Sequence, residues 1–151
     1  MLTADIPTRP KRHFIDEDLE VKSWSQIENY FQSLLDANIQ SVSDLEQWML
    51  NRSELESVLE EEQAWRYIKM NIDTRNEELS KAFHFWVTEI SPKVAPYSHK
   101  LNVKVSESPF LKELDQEKYH IYLRGLHKTI EIFREENIPL FTEMETKQQE
   151  Y

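Results

Sequence analysis

At 151 residues, with 39% apolar residues that include four Trp, six Tyr and seven Phe, the chain can build one domain with a packed core and is no solvated acidic tail. A formal charge of −10 opposes binding to phosphate backbones, and the absence of cysteine excludes a disulfide framework and thiol catalysis. One glycine and six prolines leave little material for the tight turns of sheets, so the expected class is all-α, a helical bundle built on a long helical hairpin.

Residues 1–22 carry Pro7 and Pro10 and no periodicity, which predicts an extended N-terminal arm with Phe14 and Ile15 as anchors onto the body. Its basic run, Arg9-Pro10-Lys11-Arg12-His13, is too short to outweigh the acidic whole, so no nucleic-acid partner is expected. Residues 23–151 are then the helical domain. A first helix is expected from Ser23, where Gln26 completes a capping box, with Trp24, Ile27, Tyr30, Phe31, Leu34 and Leu35 on one face and a stop at Ala37 and Asn38. Ser43-Asp44-Leu45-Glu46 predicts a short helix carrying Leu45, Trp48 and Met49.

The hairpin is expected over residues 53–107. Ser53-Glu54-Leu55-Glu56 reads as the cap of its first arm, with Leu55, Val58, Leu59, Trp65, Ile68 and Ile72 as the apolar face, and Thr74-Arg75-Asn76-Glu77 caps the second. In the second arm Leu79, Phe83, Trp86, Ile90, Val94, Tyr97, Leu101 and Val105 recur at steps of three and four, the strongest periodic signal in the chain. Ser91-Pro92 and Pro96 lie within it. They mark either a fresh cap or a kinked continuation, and the unbroken phase of the stripe favours continuation.

Ser108-Pro109 closes the hairpin, and Asp115 caps a helix to about residue 136 with Tyr119, Tyr122, Leu123, Leu126, Ile130 and Phe133 on one face. Gly125 inside it is either a tolerated helical glycine or a point of close helix approach. Asn137-Ile138-Pro139 interrupts the chain before a polar helical end over residues 140–151.

Residues that carry chemistry are few. None of the five histidines opens a His-Glu-x-x-His motif, and His120 and His127 lie two turns apart on one helix, about 10 Å, too far to share a metal unaided. His127 and Glu131 have chelating spacing but make only two ligands. Glu60-Glu61-Glu62 fan out around a helix as a solvated face, and Trp65 and Trp86 lie on apolar stripes as core residues. No catalytic, cofactor-binding or metal-binding residue is assigned.

The order of segments resembles the N-terminal region of zinc metallopeptidases of the oligoendopeptidase F, thimet oligopeptidase-like, family. The resemblance is carried by Trp24, Ile27 and Tyr30, by Trp48 and Ser53-Glu54-Leu55, and by Ala64, Tyr67-Ile68-Lys69-Met70 and Asp73-Thr74. It continues through Ile90-Ser91-Pro92-Lys93, Ala95-Pro96-Tyr97, Lys100-Leu101-Asn102 and Ser108-Pro109. These are scaffold residues. The resemblance implies a largely helical protein whose deep cavity admits short unfolded peptides, and in which zinc activates a water with a glutamate as general base. That chemistry would lie in a catalytic domain beyond this chain, which would be the first part, about a quarter, of a family member.

On this resemblance the chain binds no cofactor of its own, zinc belongs to the parent enzyme, and the partners are the missing catalytic domain and short peptides. No membrane partner is expected, since no apolar run approaches a signal-peptide core or a membrane span, and the expected location is the cytoplasm. Aromatics such as Tyr67, Phe85, Tyr119 and Tyr122 on so small a body motivate the expectation that surface outside the hairpin contact meets that catalytic domain, and self-association of the chain is a further expectation. The alternative function is a stand-alone helical interaction module without enzymatic activity; an independent hydrolase lacks its constellation.

Overall fold

A computed structural model of the chain describes residues 11–148, and the secondary structure among them consists of helices and turns without a strand. Helix α1 (Ser25–Asp36) begins where the Gln26 side-chain oxygen accepts the backbone N–H groups of Lys22 and Ser23, at 2.7 and 2.9 Å. That is half of the expected box; the Ser23 hydroxyl bonds Ser25 instead, and the helix starts two residues later. Its carboxyl end is closed by Lys104, whose Nζ donates to the carbonyls of Leu35 and Ala37, each at 2.6 Å. Burial pushes the pKa of this ammonium below its ordinary value, and Asp36 partly offsets the shift.

Helix α2 (Val42–Ile72) replaces the two separate helices expected from Ser43 and Ser53 with one run of 31 residues. Its cap is Ser41, whose hydroxyl accepts the Asp44 N–H at 3.1 Å while the Asp44 carboxylate accepts the Gln40 N–H. Ser53 stands exposed in mid-helix. The inward positions Leu45, Trp48, Arg52, Leu55 and Leu59 keep helical phase straight past it, and Arg52 fills the slot that reads as a gap in the apolar repeat. Its guanidinium is buried because Nη2 donates to Asn102 at 2.7 Å and Nε to Glu56 at 2.8 Å.

Helix α3 (Glu77–Phe85) is capped by Asn76, not by Thr74: the amide oxygen of Asn76 accepts the N–H groups of Glu78 and Leu79. The path continues through a π-turn (Trp86–Ile90) into helix α4 (Ser91–Ser106). The Ser91 N–H reaches back five residues to the Trp86 carbonyl, and this widened turn accommodates Pro92, which has no N–H to give. Continuation therefore holds, and Pro96 lies inside α4 without ending it. Phe83, Trp86, Ile90, Leu101 and Val105 are buried, with Val94 and Tyr97 half-buried against the same core.

Helix α2 runs antiparallel to the 77–106 path. Arg52 meets Asn102 near one end, the Arg66 guanidinium lies 4.8 Å from the centre of the Trp86 ring, and the Tyr67 ring is 5.6 Å from that of Phe83. Helix α1 packs on α4 through Trp24, Phe31 and Tyr97, whose ring centres lie between 5.2 and 5.7 Å apart. A 3-10 turn (Pro109–Glu113) then leads to helix α5 (Gln116–Ile132), capped as expected by Asp115, which accepts from the N–H groups of Glu117 and Lys118. A second 3-10 turn (Glu135–Asn137) precedes helix α6 (Ile138–Gln148), so α5 ends short of the expected residue 136. A Cβ at Gly125 would meet nothing within 4 Å, which leaves the tolerated glycine and removes the close approach.

The arm docks on α2. The Glu54 carboxylate accepts the N–H groups of His13, Phe14 and Ile15 at 2.7 to 3.0 Å, and Ile15 and Val21 are buried. Burial by itself would push the Glu54 carboxyl up, but the three donors outweigh it and hold its pKa below the ordinary value. Val21 is gripped on both sides, its N–H by Glu62 at 3.2 Å and its carbonyl by Arg66 at 2.6 Å. The part of the expected arm before residue 11 and the segment after residue 148 lie outside the described residues.

Candidate functional site

Among the described residues no three His, Asp or Glu side chains gather where they could hold a metal ion, so these residues do not fit a catalytic zinc. His120 and His127 both lie on exposed positions of α5, with His120 Nδ1 2.9 Å from the Glu117 carbonyl, and His99 is stacked on Phe133 at 3.9 Å. No helix among the described residues is long and apolar enough to cross a membrane. What the surface offers is binding, and the carboxyl-terminal half of α2 offers most of it.

There the sequence reading is corrected. Trp65 is 53% exposed and Ile72 79%, with Ile68 exposed between them, although all three continue the apolar repeat of α2. The reason is the inward phase beyond Leu59, which is taken by Glu62 and Arg66 rather than by apolar residues. Their side chains form a 2.6 Å ion pair, keep only 20% and 16% of their exposure, and hold Val21 between them. At about 100° per residue, Trp65, Ile68 and Ile72 then point roughly 80° to 140° away from the direction of Glu62 and Arg66. Trp86, assigned to the core on the same grounds, is 2% exposed.

The other flank of α2 forms a groove against the 77–106 path. Its wider part, a cleft of about 790 Å³, lies between α2, the start of α3 and the end of α6, and is floored by Tyr67, Met70 and Phe83. Glu145 and Gln148 of α6 close it from the far side. A second depression of about 300 Å³ continues it toward α4, lined by Glu56, Trp86, Ser91 and Val94. The two share Glu60 and Gln63, so they adjoin along the helix seam. No Lys, Arg or His lines either part; the charged lining is Glu56, Glu60 and Glu145.

The acidic run 60–62, expected as a solvated face, is thus divided three ways. Glu60 borders the groove, Glu61 lies 3.5 Å from Arg12 of the arm, and Glu62 is half-buried with Arg66. Of the aromatics singled out in the sequence, Tyr67 is exposed in the groove, Phe85 packs on the core, and Tyr119 donates to Glu46 at 2.8 Å. That hydrogen bond, with Lys118 beside it, holds the Glu46 carboxyl below its ordinary pKa. Helix α6 adds Leu140, Phe141 and Met144 as exposed apolar residues, a surface that the polar character of residues 140–151 conceals.

The family model described as Peptidase M3 N-terminal domain matches residues 14–133. No curated protein and no solved structure matches the chain.

Proposed function

The chain belongs to the Peptidase M3 N-terminal domain family, and from that premise we propose that it is the non-catalytic helical domain of a zinc-dependent metalloendopeptidase of the oligoendopeptidase F type. The parent enzyme hydrolyses short oligopeptides in the cytoplasm, and this domain forms one wall of its substrate cavity. The observation that carries the reading is the exposed face of Trp65, Ile68 and Ile72, an apolar surface on a well-packed helix that no described element covers. It suits a permanent contact with the rest of the enzyme, which would supply the metal that the described residues do not fit.

The test is complementation. A catalytic region of an M3 peptidase, expressed without its own N-terminal domain, is mixed with this chain and followed by size-exclusion chromatography and by cleavage of a fluorogenic peptide with added zinc. The expected result is a one-to-one complex, a gain in turnover, and a blue shift of Trp65 fluorescence that Trp65→Phe removes. Turnover by this chain alone, or no complex at tens of micromolar, overturns the reading; in the latter case a free-standing interaction module takes its place.

A further inference from the structure

We propose that the groove along α2 binds an extended peptide segment carrying an arginine or lysine side chain. The choice of peptide as ligand class rests on the peptidase reading above; the groove itself supplies the rest. Its α2 wall runs from Glu56 to Asn71, fifteen helical steps or about 22 Å, and an extended chain rises about 3.3 Å per residue. About six or seven residues of peptide therefore fit end to end.

The lining matches what an extended backbone asks of it. Such a backbone presents unpaired N–H and C=O groups alternately, and a carboxamide offers both a donor and an acceptor. Gln63, Asn71 and Gln148 place such groups along the groove, and the Gln63 side chain takes no hydrogen bond among the described residues. The Tyr67 ring, tilted at 60° against Phe83, stays about half exposed and gives a flat apolar platform in the groove. A guanidinium or ammonium stacks on such a ring.

Charge selects the side chain. Glu60 sits where the two parts of the groove join and no basic residue lines them, while Glu56 beside it is already paired with Arg52 at 2.8 Å, so the selecting charge is that of Glu60. An acidic side chain placed there meets the like charge of Glu60. Phosphate groups, nucleic acid and acidic lipid headgroups are opposed by the same field, which leaves a cationic peptide as the complementary occupant.

The experiment titrates the whole chain with a blocked hexapeptide containing Leu, Arg and Phe, and with the same peptide bearing citrulline or Glu in place of Arg. Binding is read by NMR chemical shifts. The expected shifts map to Ala64, Tyr67 and Met70. The Arg peptide should bind roughly two- to fivefold tighter than the citrulline peptide, the range of a solvent-exposed ion pair. Glu60→Gln should remove most of that preference, as should high salt, and Tyr67→Ala should weaken all three peptides. Both side chains reach solvent, so the variants keep the fold, which circular dichroism checks. Equal affinity for the three peptides, shifts confined to Trp65, Ile68 and Ile72, or no shift at roughly 10 mM peptide would overturn the proposal. None of these results touches the docking reading, which is measured by complex formation.

Discussion

The guanidinium of Arg66 lies over the ring of Trp86 at 4.8 Å, while its Nη2 donates a 2.6 Å hydrogen bond to the Val21 carbonyl. One side chain thus joins α2, the π-turn of the long helical path and the docked arm. The planar fork of arginine permits this, because one nitrogen can serve Glu62, another the backbone, while the face of the group stacks on indole.

Arg66→Ala should therefore cost about 2–3 kcal/mol, since it leaves Glu62 half-buried without its cation and uncovers the Trp86 ring. Urea unfolding measures it. Arg66→Lys keeps charge but loses the fork, and should recover less than half of the loss. Equal stability of the wild type and the alanine variant would mean that the junction contributes nothing.

Glu54 makes a pH-dependent contribution. Its pKa in the folded chain lies below the ordinary value of 4.5, so the stability it adds is complete above that value and is lost as pH falls through it toward the folded-state pKa. Glu54→Gln should cost about 1–2 kcal/mol at pH 7 and less at pH 3. A gap between the two proteins that stays constant from pH 7 to pH 3 would contradict the three-donor arrangement.

The two tryptophans, each on an apolar stripe of its own arm, should respond differently. Trp86→Ala removes a fully packed indole and should cost about 3–5 kcal/mol, whereas Trp65→Ala should change stability by less than about 1 kcal/mol. Thermal unfolding separates them, at roughly 2–4 °C per kcal/mol for a chain of this size. The Trp65 variant should instead fail in the complementation assay.

Gly125→Ala should stabilise the chain by about 0.5–1 kcal/mol. The position is helical, its φ is not positive, and the added methyl group meets only solvent. A measured loss of stability would show that something does approach that face.

The helical class, the cap at Asp115 and the buried residues of the 79–105 stripe were legible in the sequence because each depends on neighbours three or four positions away. The boundary at Ser53 was misread for a related reason. Arg52 breaks the apolar repeat locally, and its place in that buried slot rests on Asn102, fifty residues on, together with Glu56 one turn away. The Thr74 box lost to Asn76 within the same turn, where the Asn76 amide oxygen takes the N–H groups of Glu78 and Leu79 and starts the helix two residues later.

The groove and the exposed apolar face had no local signature at all. Trp65, Ile68 and Ile72 keep the same spacing as a buried stripe, and periodicity reports that residues share a face without saying which way that face points. The direction was decided by Glu62 and Arg66, whose desolvation is compensated by the backbone of Val21 and by the Trp86 ring, groups brought to them from two other parts of the chain. By itself the sequence determined the helices, most of the core and the family resemblance, since these are properties of short-range pattern. Which surfaces were left for a partner depended on long-range pairing of polar groups, and that only the tertiary structure decided.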